Sequence, residues 1–145
     1  MSSRVRRPEI DILHISGGDT LTVKKYLTAA EFRILLRAST RPVKLDAGGS
    51  GDIAMELDPT ESGVATVLAY LLDWTFTDFN GIPLVIREQP PSVVRAALDA
   101  IDADSYMEVQ RAIQAHDKTM RAHMAAEKKM MSGANTPEPI LQSVG

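Results

Sequence analysis

Three histidines, His14, His116 and His123, are the side chains best suited to a soft or borderline metal, because the 145-residue sequence contains no cysteine. His116 and His123 fall on one face of an expected helix but stand seven residues apart. At 1.5 Å of rise per residue that is about 10 Å, too far for both to hold one ion. No histidine pair at i,i+4 and no HExxH spacing occurs, so the bland reading is of half-buried or interfacial histidines. Gly48-Gly49-Ser50-Gly51 has the composition of a phosphate loop, yet no lysine follows to reach the outer phosphates. Ser50 would need glycine at 48 and 52 to sit on a nucleophile elbow, and position 52 is Asp52. Asp99, Asp102 and Asp104 cluster, but helix punctuation explains them more simply than paired acid–base chemistry. Asp78-Phe79-Asn80-Gly81 begins like a calcium loop and lacks the later glutamate. No catalytic, cofactor-binding or metal site is therefore assigned, and the sequence reads as that of a non-enzyme.

Two groups remain that could bind another chain. Arg4, Arg6 and Arg7 could clamp phosphates or a partner, or serve as a solubilising arm. The net charge of -3, the pI of about 5.6 and the 5% aromatic content argue against nucleic-acid binding by the whole domain. Met120, Met124, Met130 and Met131 crowd one end of the last expected helix. Methionine is flexible and polarizable and suits surfaces that repack on a partner. The four are candidate client-binding residues. Packing on the chain's own core or a self-association seam is the alternative.

These residues depend on elements legible in the spacing. Hydrophobic residues make up 44% of the chain, enough for one domain with a core of its own. Residues 1–9 are polar and basic and are expected to form a mobile arm. Alternation over 10–15, the turn Ser16-Gly17-Gly18-Asp19 and β-prone Thr20–Val23 predict a hairpin. Thr28-Ala29-Ala30-Glu31 has capping-box spacing, with Leu27 and Phe32 placed as a staple. That helix should run to about Ala38 with Phe32, Leu35 and Leu36 inward, ending before Arg41-Pro42. Residues 46–52 read as a flexible loop, and Ile53–Leu57 has no clear assignment.

Asp58-Pro59-Thr60-Glu61 opens a second helix, whose stripe is Val64, Val67, Leu68, Leu71 and Leu72. Asn80-Gly81 between β-prone stretches signals a hairpin or tight turn, and Pro83 keeps the return off a central strand. Trp74, Phe76, Asn80, Gly81 and Pro83 are the candidate structural anchors there. Pro90-Pro91-Ser92 opens a third helix, whose stripe is Val93, Val94, Ala97, Leu98 and Ile101. A fourth runs from about Ser105 to Met131, along a seam of Tyr106, Val109, Ile113, His116, Met120, His123, Glu127 and Met130. Residues 132–145 read as a disordered tail. The expected architecture is mainly α with some β: one domain over 10–131, about four helices, one or two short hairpins and a long C-terminal helix. Helices two and three with the start of four should form the core, closed by helix one. The basic start is followed by Pro8-Glu9-Ile10-Asp11, which is no signal sequence. No apolar run nears the roughly 20 residues of a membrane span, so a cytosolic protein is expected.

The stretch Trp74-Thr75-Phe76-Thr77-Asp78-Phe79-Asn80-Gly81-Ile82-Pro83 resembles the tail assembly chaperones of long-tailed bacteriophages. So does the surrounding order: a helix ending at Leu71-Leu72-Asp73, Pro91 with a helix, an Asp-rich break at 102–104, and a charged helix with Ala115-His116 and Glu127-Lys128-Lys129. The strand-then-helix stretch Thr20–Phe32 is similar too. The resemblance covers roughly residues 10–131. It implies a non-enzymatic chaperone without cofactor. Such a protein binds the tape-measure protein in the host cytoplasm, helps tail-tube protein assemble around it, and is absent from the mature virion. Self-association is a further partner class. The alternatives are a structural head–tail connector or other virion subunit, and a small nucleic-acid-binding regulator using Arg4, Arg6 and Arg7.

Overall fold

A computed structural model describes residues 3–44 and 53–133. Their order is β1 (Ile10–His14), a 3-10 turn (Ser16–Gly18), β2 (Thr20–Lys24), α1 (Ala29–Ser39), β3 (Thr40–Lys44), β4 (Ile53–Leu57), α2 (Pro59–Tyr70), β5 (Leu71–Trp74), α3 (Pro91–Ala100) and α4 (Ala103–Gly133). The chain divides into two compact units, Met1–Gln114 and Ala115–Gly145, and α4 contributes to each. The expected α+β class with four helices and a long C-terminal helix is the one observed.

In the first unit, β1 and β2 form the expected hairpin, Ile10 opposite Lys24 and His14 opposite Thr20. Gly17 adopts φ of 71°, which a residue with a Cβ rarely tolerates. β5 adds to the other side of β2, giving an antiparallel sheet in the order β1-β2-β5. This strand departs from the sequence expectation. Leu71 and Leu72 continue the spacing of α2, yet the helix stops at Tyr70. The register shifts between Thr22 and Val23, so Leu71 pairs with Val23 while Trp74 pairs with Leu21. Such a bulge sets two residues of one strand against one of its partner. Leu71 and Trp74, three apart, can therefore both be buried.

The core joins Leu21 and Val23 of β2, Val67 and Tyr70 of α2, Leu71 and Trp74 of β5, Ile86 of the segment before α3, Val94 and Leu98 of α3, and Val109 and Ile113 of α4. The sheet, not α1, closes it. Helix α1 packs on α2 and buries Leu35 and Ser39. Phe32 (36% exposed) and Leu36 (45%) lie on the solvent side, contrary to the expected inward stripe. Helix α2 is buried on several sides, at Gly63, Ala65, Thr66, Val67 and Tyr70, so its apolar residues do not form one stripe. A second, two-stranded sheet pairs β3 with β4, Pro42 opposite Met55. Its strands flank residues 46–52. The glycine-rich candidates Gly48-Gly49-Ser50-Gly51 lie outside the described residues.

Three of the expected helix caps form, at Thr28, Asp58 and Asp102. The Thr28 hydroxyl accepts from the Glu31 amide at 3.2 Å, and Glu31 Oε1 accepts from the Thr28 amide at 2.8 Å. Asp58 Oδ1 accepts from the amides of Thr60 and Glu61. Asp102 accepts from the amide and hydroxyl of Ser105, so α4 begins two residues earlier than expected, at Ala103. It also continues past Met131 to Gly133, and the remainder of the expected tail lies outside the described residues.

The Glu31 carboxylate also pairs with Lys24. Partial burial raises its pKa, but the bonds from Lys24 and Thr28 outweigh this and hold it below the ordinary value. A depressed folded pKa adds stability above the unfolded value, about 4.3, that disappears as pH falls through the folded value. Glu31→Gln keeps the box geometry and removes the titration. In urea unfolding, the stability gap between native chain and variant should be constant from pH 7 to about 5 and close below about 4. An unchanged gap at pH 3 would contradict this assignment.

Candidate functional site

The segment after β5 is built around its own polar groups. Asp78 Oδ1 accepts from the amides of Asn80 (2.8 Å) and Ile82 (3.0 Å), and the Gly81 amide donates to the Asp78 carbonyl at 3.0 Å. Gly81 takes φ of 79°, as the Asn-Gly signal anticipates. Thr77 and Pro83 form an isolated antiparallel bridge, and the Leu84 amide donates to the Phe76 carbonyl at 3.0 Å. The result is a tight turn with a short bridged stem. Trp74 is buried, donates Nε1–H to the Leu84 carbonyl at 2.8 Å and lies 4.8 Å from the Phe76 ring. Of the five expected anchors, Trp74 and Phe76 pack on or within the core, while Asn80, Gly81 and Pro83 shape the exposed turn.

Beside this segment lies an open groove of about 710 Å³. Its apolar lining comes from Phe76, Phe79, Leu84 and Ile101; Asp19, Asp78 and Asp102 supply carboxylates, and among the described residues no lysine or arginine lines it. The spacing predicts helix punctuation for Asp102 and only an incomplete calcium-loop pattern for Asp78. Asp102 does cap α4 and Asp78 instead ties the turn, and the fold brings both to one groove with Asp19, which no sequence spacing announces. The Ser105 bonds hold the Asp102 carboxyl below the usual range.

In the second unit, α4 carries the candidate methionines. Met120 is half-buried, Met124 is 40% exposed and Met130 is 77% exposed. The side chain of Met131 lies outside the described residues. Lys118, Arg121, Lys128 and Lys129 accompany them, against Asp117 and Glu127. Arg121 pairs with Asp117 at 3.0 Å and His123 with Glu127 at 3.2 Å, both one helical turn apart.

No family model, curated protein or solved structure matches the chain.

His14 lies on β1, His116 is buried on α4, and among the described residues no group of three or more His, Asp or Glu could hold a metal. Arg6 stacks over the Tyr26 ring at 4.3 Å, and Glu9 pairs with Lys25 at 3.5 Å. No helix among the described residues is long and apolar enough to cross a membrane.

Proposed function

We propose that this chain is a tail assembly chaperone of a long-tailed bacteriophage, acting by contact with the tape-measure protein rather than by catalysis. The observation that carries the reading is the second half of α4. It exposes Met124 and Met130 on a helix of at least four turns beyond Ile113, with four cations beside them. A long amphipathic client helix offers apolar faces that such an adaptable surface can cover. The resemblance over residues 10–131 supplies the client's identity, with tail-tube protein as a second partner. Host cytoplasm and absence from the finished virion follow from the same reading.

Co-expression tests it. The tagged chain should keep a tape-measure protein from the same phage soluble and co-purify with it, and should be missing from purified virions. Recovery of the chain in virions at fixed stoichiometry would favour a connector subunit instead. A tape-measure protein that is equally soluble alone and does not co-purify would overturn the proposal.

A further inference from the structure

We propose that the groove between the Trp74–Leu84 segment and the α3–α4 junction docks a basic amphipathic helix of a partner chain, with Phe79 as its anchor. This site lies in the first unit and does not depend on what the methionines of α4 bind.

Phe79 is 98% exposed, although it belongs to a turn whose backbone is tied down on both sides. Isolated apolar residues on a surface need no explanation. This one stands at the rim of a groove whose wall is apolar at Phe76, Leu84 and Ile101, and Ile82 (59%) and Val85 (64%) are exposed on the same segment. An aromatic held out by a fixed turn has already lost its backbone freedom, which lowers the entropy cost of binding. Such aromatic anchors commonly dominate interface energy.

The backbone argues for a helical guest. The Leu84 amide is used by Phe76, the Asp78 amide by the Ile82 carbonyl, and the Leu84 carbonyl by the Trp74 indole. The stem thus has its own main-chain partners and is a poor edge for an added strand. A helix binds instead through side chains at i, i+3, i+4 and i+7.

The charge argues for a basic one. Asp19 Oδ1 accepts from the Thr75 hydroxyl, and Asp78 and Asp102 accept the turn and cap bonds described above. Asp19 Oδ2 and Asp78 Oδ2 accept no hydrogen bond among the described residues, and no cation lines the groove. Lysines flanking an apolar stripe would meet these carboxylates, giving a fast and salt-dependent encounter.

The test uses the full chain and two designed 18-residue helical peptides. Both carry Leu at i, i+3, i+4 and i+7; the remaining positions are Lys in one and Glu in the other. The Lys peptide should bind, shifting the amide resonances of residues 75–84 and 100–105, and the Glu peptide should not. Phe79→Ser should weaken binding about tenfold or more without moving the thermal midpoint. Asp78→Asn keeps the one oxygen that accepts both turn bonds, and Asp102→Asn keeps an acceptor for the Ser105 amide while giving up the one that holds the Ser105 hydroxyl, so the pair should weaken binding and flatten its salt dependence while the fold persists. Equal binding of the two peptides, resonance shifts confined to other regions, or an unaffected Phe79→Ser variant would each overturn the proposal. So would a native chain that forms dimers which Phe79→Ser dissociates, since the groove would then belong to a second copy.

Discussion

Trp74→Ala is expected to lower folding stability by about 3–5 kcal/mol, read as a shift of the urea midpoint in far-ultraviolet circular dichroism. The indole is buried where β5, Phe76 and the return of the turn at Leu84 meet. Truncation leaves a cavity bounded by two secondary-structure elements that the hairpin register holds in place, so little collapse can fill it. Trp74→Phe separates packing from polarity. It retains most of the ring volume but leaves the Leu84 carbonyl without its indole donor, a loss of about 1–3 kcal/mol. Alanine should therefore cost clearly more than phenylalanine. Equal losses would mean that the hydrogen bond, not the filled volume, holds the segment to the core. Since native stabilities lie near 5–15 kcal/mol, the alanine variant should be partly unfolded at 37 °C, and peptide binding at the Phe79 groove should fall in step with the folded fraction.

The same residue shows how far the sequence could be read. Its anchoring role was legible, because one tryptophan beside a turn signal has few other uses. Its strand was not. Leu68, Leu71 and Leu72 keep helical spacing, and the bulge in β5, where Leu72 is the extra residue, gives Leu71 and Trp74 a three-residue interval that also looks helical. Pairing with β2, a contact across some 50 residues of sequence, is what stops the helix at Tyr70. The caps at Thr28, Asp58 and Asp102 were legible for the opposite reason: cap and amide lie within three residues, so their chemistry is local. The inward reading of Phe32 and Leu36 failed because periodicity marks an apolar face without saying whether the chain supplies a cover for it. The groove escaped notice because Asp19, Asp78 and Asp102 are each explained by a neighbour and meet only through the fold.

The seam of α4 leads to the second large effect. Val109, Ile113 and His116 are buried, Met120 is half-buried, and from His123 to Met130 the positions are open apart from Glu127. Burial thus ends within the helix while the apolar spacing runs on. Replacing both Met124 and Met130 with Gln should leave folding stability within about 0.5 kcal/mol, since both are exposed and Gln is nearly as good a helix former. Under the proposed function, binding to a tape-measure client should nevertheless fall more than about tenfold, because two polar amides would replace the groups that an apolar client face would cover. Oxidation supplies an independent version of the test. Mild peroxide treatment should convert these exposed methionines to sulfoxides and weaken the complex, and methionine sulfoxide reductase should restore it. Reversal by the enzyme ties the loss to methionine chemistry rather than to unfolding. If the double Gln variant binds its client normally and oxidation is without effect, the second half of α4 is not the client surface. If instead the variant unfolds, the two methionines support the fold despite their exposure, and the client must bind elsewhere.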